Sequence, residues 1–461
     1  MGTQRHTISR ERPRAASPAV WGLAACVALH ASAGTAQTVE DASLEVETVA
    51  TGLFQPTTMG FLGPDDILVL EKATGIVQRL HQGMVDPVLD VAVHFLAERG
   101  LLGIAVDSGQ PPGVFLYYTE SSTGGDTNLS GSVPAGNRVY RYDWNPCTEA
   151  LENPQLILDL PATPGPNHDG GITLLGPTGE GSVGDGSLLY AVVGDLNRNG
   201  QLENFPAGAA PDDTAVVLRV EQDGSPAPGN PFSPYCSSST GITCTDDLDC
   251  PAEETCVTEV ARYFAYGVRN SFGMALDPVT GSLWDTENGP GSYDEINRLA
   301  PGTNSGWRAI MGPDSRDPQG PGDLFDMPGA GSTYSDPEFS WFDTVAPTAI
   351  VFPVGSGLGP AYDDVALVGD NNTGQIYALP LDTQRNAFDF SDPSLASLQD
   401  LVADDQAEAN LLRFGSGFGV VTDLEIGPDG DLYVVSLSQG AIYRVSELYV
   451  VEVFRTKGGL C

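Results

Sequence analysis

The sequence predicts an all-β fold, a six-bladed β-propeller, on three observations. A short hairpin pattern recurs six times along the chain. Long amphipathic helices are absent between the copies, because Pro and Gly interrupt the candidate segments. The copies fall at irregular spacings with insertions between them, which suits radially arranged sheets better than a solenoid of uniform period. Radial closure also leaves little sheet edge exposed. A β-sandwich or a pair of barrels is the competing all-β arrangement.

Each copy joins an acidic or Gly-rich turn, a β-rich run, a variable loop and a second run often ending in Tyr-Arg-aliphatic. The first is GPDDILVLEKATGIVQRL from Gly63, and the second joins GVFLYYTES from Gly113 to NRVYRYDW from Asn137. The third joins GSLLYAVVGD from Gly186 to AVVLRVEQDG from Ala215, and the fourth joins GSLWDTEN from Gly281 to DEINRLAPG from Asp294. DDVALVGDNNTGQIYALPL from Asp363 and GPDGDLYVVSLSQGAIYRV from Gly427 complete the set. Their alternation of apolar and polar residues fits half-buried strands. The propeller is placed at residues 41–446.

The ends read differently. Residues 1–36 have the order of a secretory signal peptide: Arg5, Arg10, Arg12 and Arg14, then an apolar run Ala19–Ala31, then small residues to Ala36. The apolar run is too short to span a bilayer, and no later segment is long and apolar enough to do so. The mature chain is therefore expected to be secreted or periplasmic, and residues 447–461 form a tail. With 61 Asp and Glu against 21 Lys and Arg, the formal charge is −40, which argues against nucleic acid and anionic membranes as partners. Four cysteines, Cys236, Cys244, Cys250 and Cys256, crowd into a polar segment. In an oxidising compartment they read as a disulfide-stapled insertion at 233–258 with three possible connectivities. Zinc is disfavoured, since there is no CxxC pair and no nearby His.

Chemistry is sought in the loops. Beyond the signal segment the histidines are His81, His94 and His168. The first two sit in or beside apolar runs and read as structural. His168 lies in GPNHDGGITL just before a strand, where a neutral imidazole is placed to take a proton. The densest constellation is Ala265–Trp307, where Arg269 and Asn270 precede Glu287, Asn288, Asp294 and Glu295 around a Gly-Pro-Gly turn. Carbonyls freed by such a turn, with carboxylates close by, suit Ca²⁺; an Arg–Glu ion pair is the plainer reading. The segment from Asp195 to Gly200 copies the first half of an EF-hand loop, although its twelfth position is Pro206 in place of Glu.

These motifs together resemble the soluble pyrroloquinoline-quinone (PQQ) sugar dehydrogenases, the glucose/sorbosone dehydrogenase family. Its markers stand here as ERGLLGIAVD from Glu98, HDGG from His168, VVGDLNRNGQ from Val192 and GVRNSFG from Gly267. ENGPGSYDEINRLAPGTNSGW from Glu287 and WFDTVAP from Trp341 follow in order. The resemblance implies a six-bladed propeller in which His168 takes the proton of a sugar hydroxyl and Arg269 polarises the quinone oxygen. It also implies cofactor contacts at Asn270, Asn288, Asp294, Trp341 and Thr344. The carbonyls of Gly289 and Pro290 would hold the calcium that clamps the quinone, and Glu295 with the Ser305 carbonyl a second calcium.

The chain departs from the family pattern where cations meet the cofactor. A Lys of the fifth hairpin is replaced by Asn371 or Asn372, and no Arg follows Arg413 before the last copy. Phe272 and Ser305 also replace commoner choices. The reading is an exported PQQ- and calcium-dependent dehydrogenase of an aldose sugar or related alcohol, with an unidentified electron acceptor. The alternative is a non-catalytic, calcium-stabilised propeller that binds a protein or glycan. A calcium-dependent lactonase would need a cage of carboxylates facing the channel, for which Asp195, Asp294 and Glu295 are the candidates.

Overall fold

The computed structural model describes residues 36–177, 188–316, 324–328 and 333–448. The expected signal peptide apart from Ala36, and the expected tail beyond residue 448, lie outside them. Among the described residues the chain is all-β, and the one α-helix is the single turn Gln406–Ala409.

Among the described residues, six sheets of four or more strands follow one another along the chain. Their first strands are Pro56–Gly63, Leu101–Val106, Thr173–Gly176, Ser271–Leu276, Pro347–Val351 and Val421–Ile426. Each first strand pairs antiparallel with the next in sequence, and each recurring hairpin forms the second and third strands of one sheet. In the first sheet, for example, Asp66–Glu71 pairs with Ile76–His81. The last sheet takes its outer strand from the other end of the chain: Leu44–Thr51 pairs with Ala441–Glu447.

Burial follows from sheets that are covered on both faces. Leu188–Val193 is buried at every position, a run of apolar residues without alternation, as expected of a strand between two layers. Six apolar clusters lie between successive sheets. Leu70 and Leu116 join the first and second, Phe115 and Leu189 the second and third, and Val192 and Leu283 the third and fourth. Trp284 and Val368 join the fourth and fifth, Leu367 and Val434 the fifth and sixth. The sixth cluster, with Val435 and Met59, returns to the first sheet and closes the ring. The architecture is a β-propeller, and its first strands surround an axial channel.

The Cys-rich segment forms its own two-stranded ribbon, in which Tyr235 faces Val257. Its disulfides are Cys236–Cys250 and Cys244–Cys256. Tyr235 and Val257 belong to the apolar cluster between the second and third sheets, so the base of the insertion is core while its tip, with Leu248, is exposed.

Candidate active site at one mouth of the channel

One mouth of the channel holds a cavity of about 480 Å³. Thr57, Leu102, Phe272, Thr348 and Thr422 from the first strands form its floor, and loops between sheets form its walls. The loop before the third sheet carries His168, whose backbone is left-handed (φ 64°). Two glycines follow because side chains do not fit there. A Cβ on Gly170 would stand 2.5 Å from the Val192 carbonyl oxygen, and one on Gly171 2.7 Å from Leu102. The turn lets the His168 N–H donate to Glu98 Oε2 at 2.6 Å and aims the ring into the cavity wall.

His168 Nδ1 donates to Asp195 Oδ1 at 2.6 Å. Because a carboxylate only accepts, this bond places the ring hydrogen on Nδ1 and leaves the Nε2 lone pair free. Asp195 is itself fixed: Asn197 N–H donates to Oδ1 at 2.7 Å, and Trp307 Nε1 donates to Oδ2 at 2.7 Å. Both carboxylate oxygens are thus engaged, and Asn199 Oδ1 accepts from Arg308. In the EF-hand-like segment the side chains of Asp195 and Asn199 are engaged by hydrogen bonds within the protein, and Asp195 holds the imidazole.

Arg269 leaves the third sheet beside this pair, and its carbonyl accepts from the Asp195 N–H at 2.9 Å. Its N–H donates to Glu287 at 2.6 Å, and its guanidinium donates to the Asn288 carbonyl at 2.6 Å. The guanidinium lies 5.2 Å from the centroid of the Trp307 ring, and Nε is buried without a partner. Asn270 donates to Glu98 Oε2 at 3.1 Å while its Oδ1 is buried and unpartnered. Asn288 donates to the Pro347 carbonyl at 3.1 Å. The structure therefore brings His168, Arg269, Asn270 and Asn288 to one cavity.

The sequence pattern of the glucose/sorbosone dehydrogenase family matches residues 53–444. The chain belongs to this family. Among its relatives, quinoprotein glucose dehydrogenase B of Acinetobacter calcoaceticus is 24% identical over 407 residues, covering 83% of this chain and 73% of that one. Aldose sugar dehydrogenase of Escherichia coli is 22% identical over 417 residues, covering 88% and 93%. The PQQ-bound aldose sugar dehydrogenase of Streptomyces coelicolor has the same fold, with a TM-score of 0.59 at 23% identity, covering 88% of this chain and 99% of that one.

Other residues that the family resemblance singles out stand behind the cavity. Asp294 accepts from Gly289 N–H at 2.8 Å and Ala346 N–H at 2.6 Å, tying the Gly289-Pro290 turn to the start of the fifth sheet. Burial pushes its carboxyl up to about 6. Thr344 is half-buried, and its carbonyl accepts from Asn372; Thr348, four residues on, lines the cavity where Thr344 does not. Trp341 does not reach the cavity. It is fully buried between the fourth and fifth sheets, 4.9 Å from Phe339 and 5.6 Å from Tyr377, centroid to centroid.

The oxygen donors fit the hard cations that the family implies. The Gly289 and Pro290 carbonyls accept no hydrogen bond among the described residues. Across the strand pair Glu287 faces Glu295, and Asp285 lies on the same face, two residues from Glu287. Burial raises all three, Asp285 to about 7 and Glu295 to about 8. Both oxygens of Asp285, one of Glu287 and the Ser305 hydroxyl lack a well-formed hydrogen bond. Buried carboxylates without a counter-charge are costly, and a divalent cation is the natural remedy. The lactonase cage finds no support: Asp195, Asp294 and Glu295 are held by hydrogen bonds within the protein and do not line the cavity.

Two cavity residues carry charge that the sequence did not reveal. Glu98 Oε2 accepts from both His168 and Asn270. Lys72 Nζ donates to the Ala97 and Arg99 carbonyls at 2.7 Å each, and burial lowers its pKa to about 8. Glu98 stands in a family marker and Lys72 in the first hairpin, but nothing local in either motif says which way the side chain points. His94, by contrast, is the buried structural histidine expected, with Nε2 against the Ser132 carbonyl.

Proposed function

We propose that this chain is an exported, six-bladed PQQ- and calcium-dependent dehydrogenase that oxidises an aldose sugar or a related alcohol. The observation that carries the reading is that His168, held from behind by Asp195, lines one cavity with Arg269. Six sheets with six intervening clusters support the blade number, and the two disulfides support an oxidising compartment for the chain. Residues 1–36 are the proposed signal peptide, and 233–258 an insertion in the propeller at 41–446.

Arg269, Asn270, Asn288 and Thr348 would hold the quinone, and the Gly289 and Pro290 carbonyls the clamping calcium. When bound, PQQ supplies a two-electron acceptor for the hydride leaving the sugar carbon. His168 Nε2 takes the hydroxyl proton, and Asp195 stabilises the imidazolium that results. Arg269 presents fixed positive charge toward the cavity, where charge develops during transfer. The floor of Thr57, Leu102 and Phe272 limits how deep a substrate can sit. Asn371, one of the two residues expected where the family has a Lys, lines the cavity and is the observation favouring the second reading, a propeller that binds a protein or glycan without oxidising it.

Reconstitution of purified protein with PQQ and Ca²⁺, followed by aldoses, tests the choice. Quinone reduction seen by absorbance, lost in His168→Gln by about 10²–10⁴-fold, is expected of the enzyme. Absence of reduction with every aldose, despite bound PQQ, would leave the binding propeller.

A further inference from the structure

Trp307 closes the long motif of the fourth sheet, yet nothing so far gives it a task. Its side chain makes two contacts that meet at the centre of the site. The indole N–H donates to Asp195 Oδ2 at 2.7 Å, the one donor that oxygen has among the described residues. The face of the same ring lies under the Arg269 guanidinium, 5.2 Å from its centroid. The ring is pinned from its own backbone: Trp307 N–H donates to the Gly267 carbonyl at 3.1 Å, and its carbonyl accepts from Asn204 Nδ2 at 2.7 Å.

We propose that Trp307 is a positioning residue that sets the base and the cavity arginine in register through one rigid ring. The N–H fixes Oδ2, so Oδ1 cannot rotate away from His168 Nδ1, and the imidazole keeps its hydrogen on Nδ1. The ring face meanwhile supports Arg269, whose Nε has no hydrogen-bond partner of its own. A planar group with one donor edge and one electron-rich face does both. Asp195 and Arg269 are also joined through the backbone, so the three groups form one unit: the Asp195 N–H donates to the Arg269 carbonyl at 2.9 Å.

The two contacts separate by substitution. Trp307→Phe keeps a ring under Arg269 and removes the N–H; Trp307→Leu removes both. Phenylalanine should lower kcat about ten- to a hundredfold, the effect of one lost hydrogen bond to a charged group, with KM and PQQ affinity within about twofold of the parent. Leucine should lower kcat and PQQ affinity together. The rate measurement rests on the dehydrogenase reading; the second measurement does not. In ¹⁵N-histidine-labelled protein without cofactor, the His168 ring, assigned with His168→Gln, should show the Nδ1–H tautomer in the parent and a mixture in Trp307→Phe. Should neither variant fold, a third decides: compared with the parent, Asp195→Asn should shift one Trp indole N–H resonance, that of a ring held by Asp195. An unchanged tautomer in folded Trp307→Phe, an equal loss of PQQ affinity in the two variants, or unmoved indole resonances in Asp195→Asn would overturn the proposal. A parent that oxidises no aldose while the tautomer responds as stated would fail the dehydrogenase reading and leave the Trp307–Asp195 link standing.

Discussion

Asp195→Asn is the substitution whose outcome the structure constrains most tightly. Three donors converge on this carboxylate, two at Oδ1 from His168 and Asn197 and one at Oδ2 from Trp307. An amide of the same shape must turn its NH₂ toward one side. Facing His168, it would oppose two donors and force the ring hydrogen onto Nε2, removing the base. Facing Trp307, it opposes only one. The second arrangement is favoured, and it keeps the imidazole tautomer while replacing a charged acceptor with a neutral one. Hydrogen bonds to charged groups contribute roughly 1.5–3 kcal/mol against about 0.5–1.5 for neutral ones. The imidazolium formed on proton transfer therefore loses about 1–1.5 kcal/mol from this change alone, and more from the donor–donor conflict. We predict a kcat lowered about ten- to a hundredfold, with KM and PQQ affinity unchanged, measured by pre-steady-state quinone reduction. If the pair acts as one unit, Asp195→Asn in a His168→Gln background should cost little further. A single variant with parental kcat, or a double variant whose losses simply multiply, would refute the reasoning.

Three further outcomes follow from the same geometry. Exhaustive chelation should lower the melting temperature by several degrees, reversibly with Ca²⁺, since a ligand at a hundredfold excess over Kd stabilises the native state by about 2.7 kcal/mol; an identical melting curve would remove calcium from the site. Asp169 is fully buried, its Oδ1 3.6 Å from Arg99 Nε, and burial outweighs that pairing and raises its pKa to about 7. A folded pKa above the unfolded one means its stabilisation is full below about pH 4 and lost as pH rises to about 7, so Asp169→Asn should gain on the parent over that window in melting experiments. A difference that is flat with pH would contradict this. Lys72, lowered to about 8, should lose its charge above that pH, so PQQ affinity measured by titration should fall between pH 7 and 9 in the parent and stay flat and weaker in Lys72→Met; equal pH dependence in both would exclude Lys72 as a cofactor contact.

The repeated hairpins were legible because β-rich runs recur between turn residues; their burial was less so, since Leu188–Val193, expected to be half-buried, is covered on both faces. The pairing of Leu44–Thr51 with Ala441–Glu447 was not, because register between distant segments leaves no local mark. In the site, His168 and Arg269 stood out as functional groups in loops rich in Gly and Pro. Asp195 was visible as a residue but not as the partner of His168, since an Asp-x-Asn-x-Asn-Gly run favours left-handed turns whether or not a cation sits inside; Leu196 and Asn197 do adopt positive φ. Trp341 shows the reverse limit. A large aromatic near the motif serves the core as readily as the cavity, and only packing distinguishes the two.

The strand from the beginning of the chain that finishes the last sheet also has a consequence for assembly. Thr57 and Thr422 share the cavity floor across this seam, so the binding surface is incomplete until residues nearly four hundred apart have met. A chain cut short before Ala441 would carry Leu44–Thr51 as an unpaired edge, open to any passing strand. Shorter products are therefore poised to aggregate. The seam also makes the starting point of the chain arbitrary in principle. Joining its two sides through a short linker and opening the polypeptide at the exposed turn near Gly124 would move the late long-range closure to the second sheet, so that the contact between Glu98 and His168 would then be the one made last.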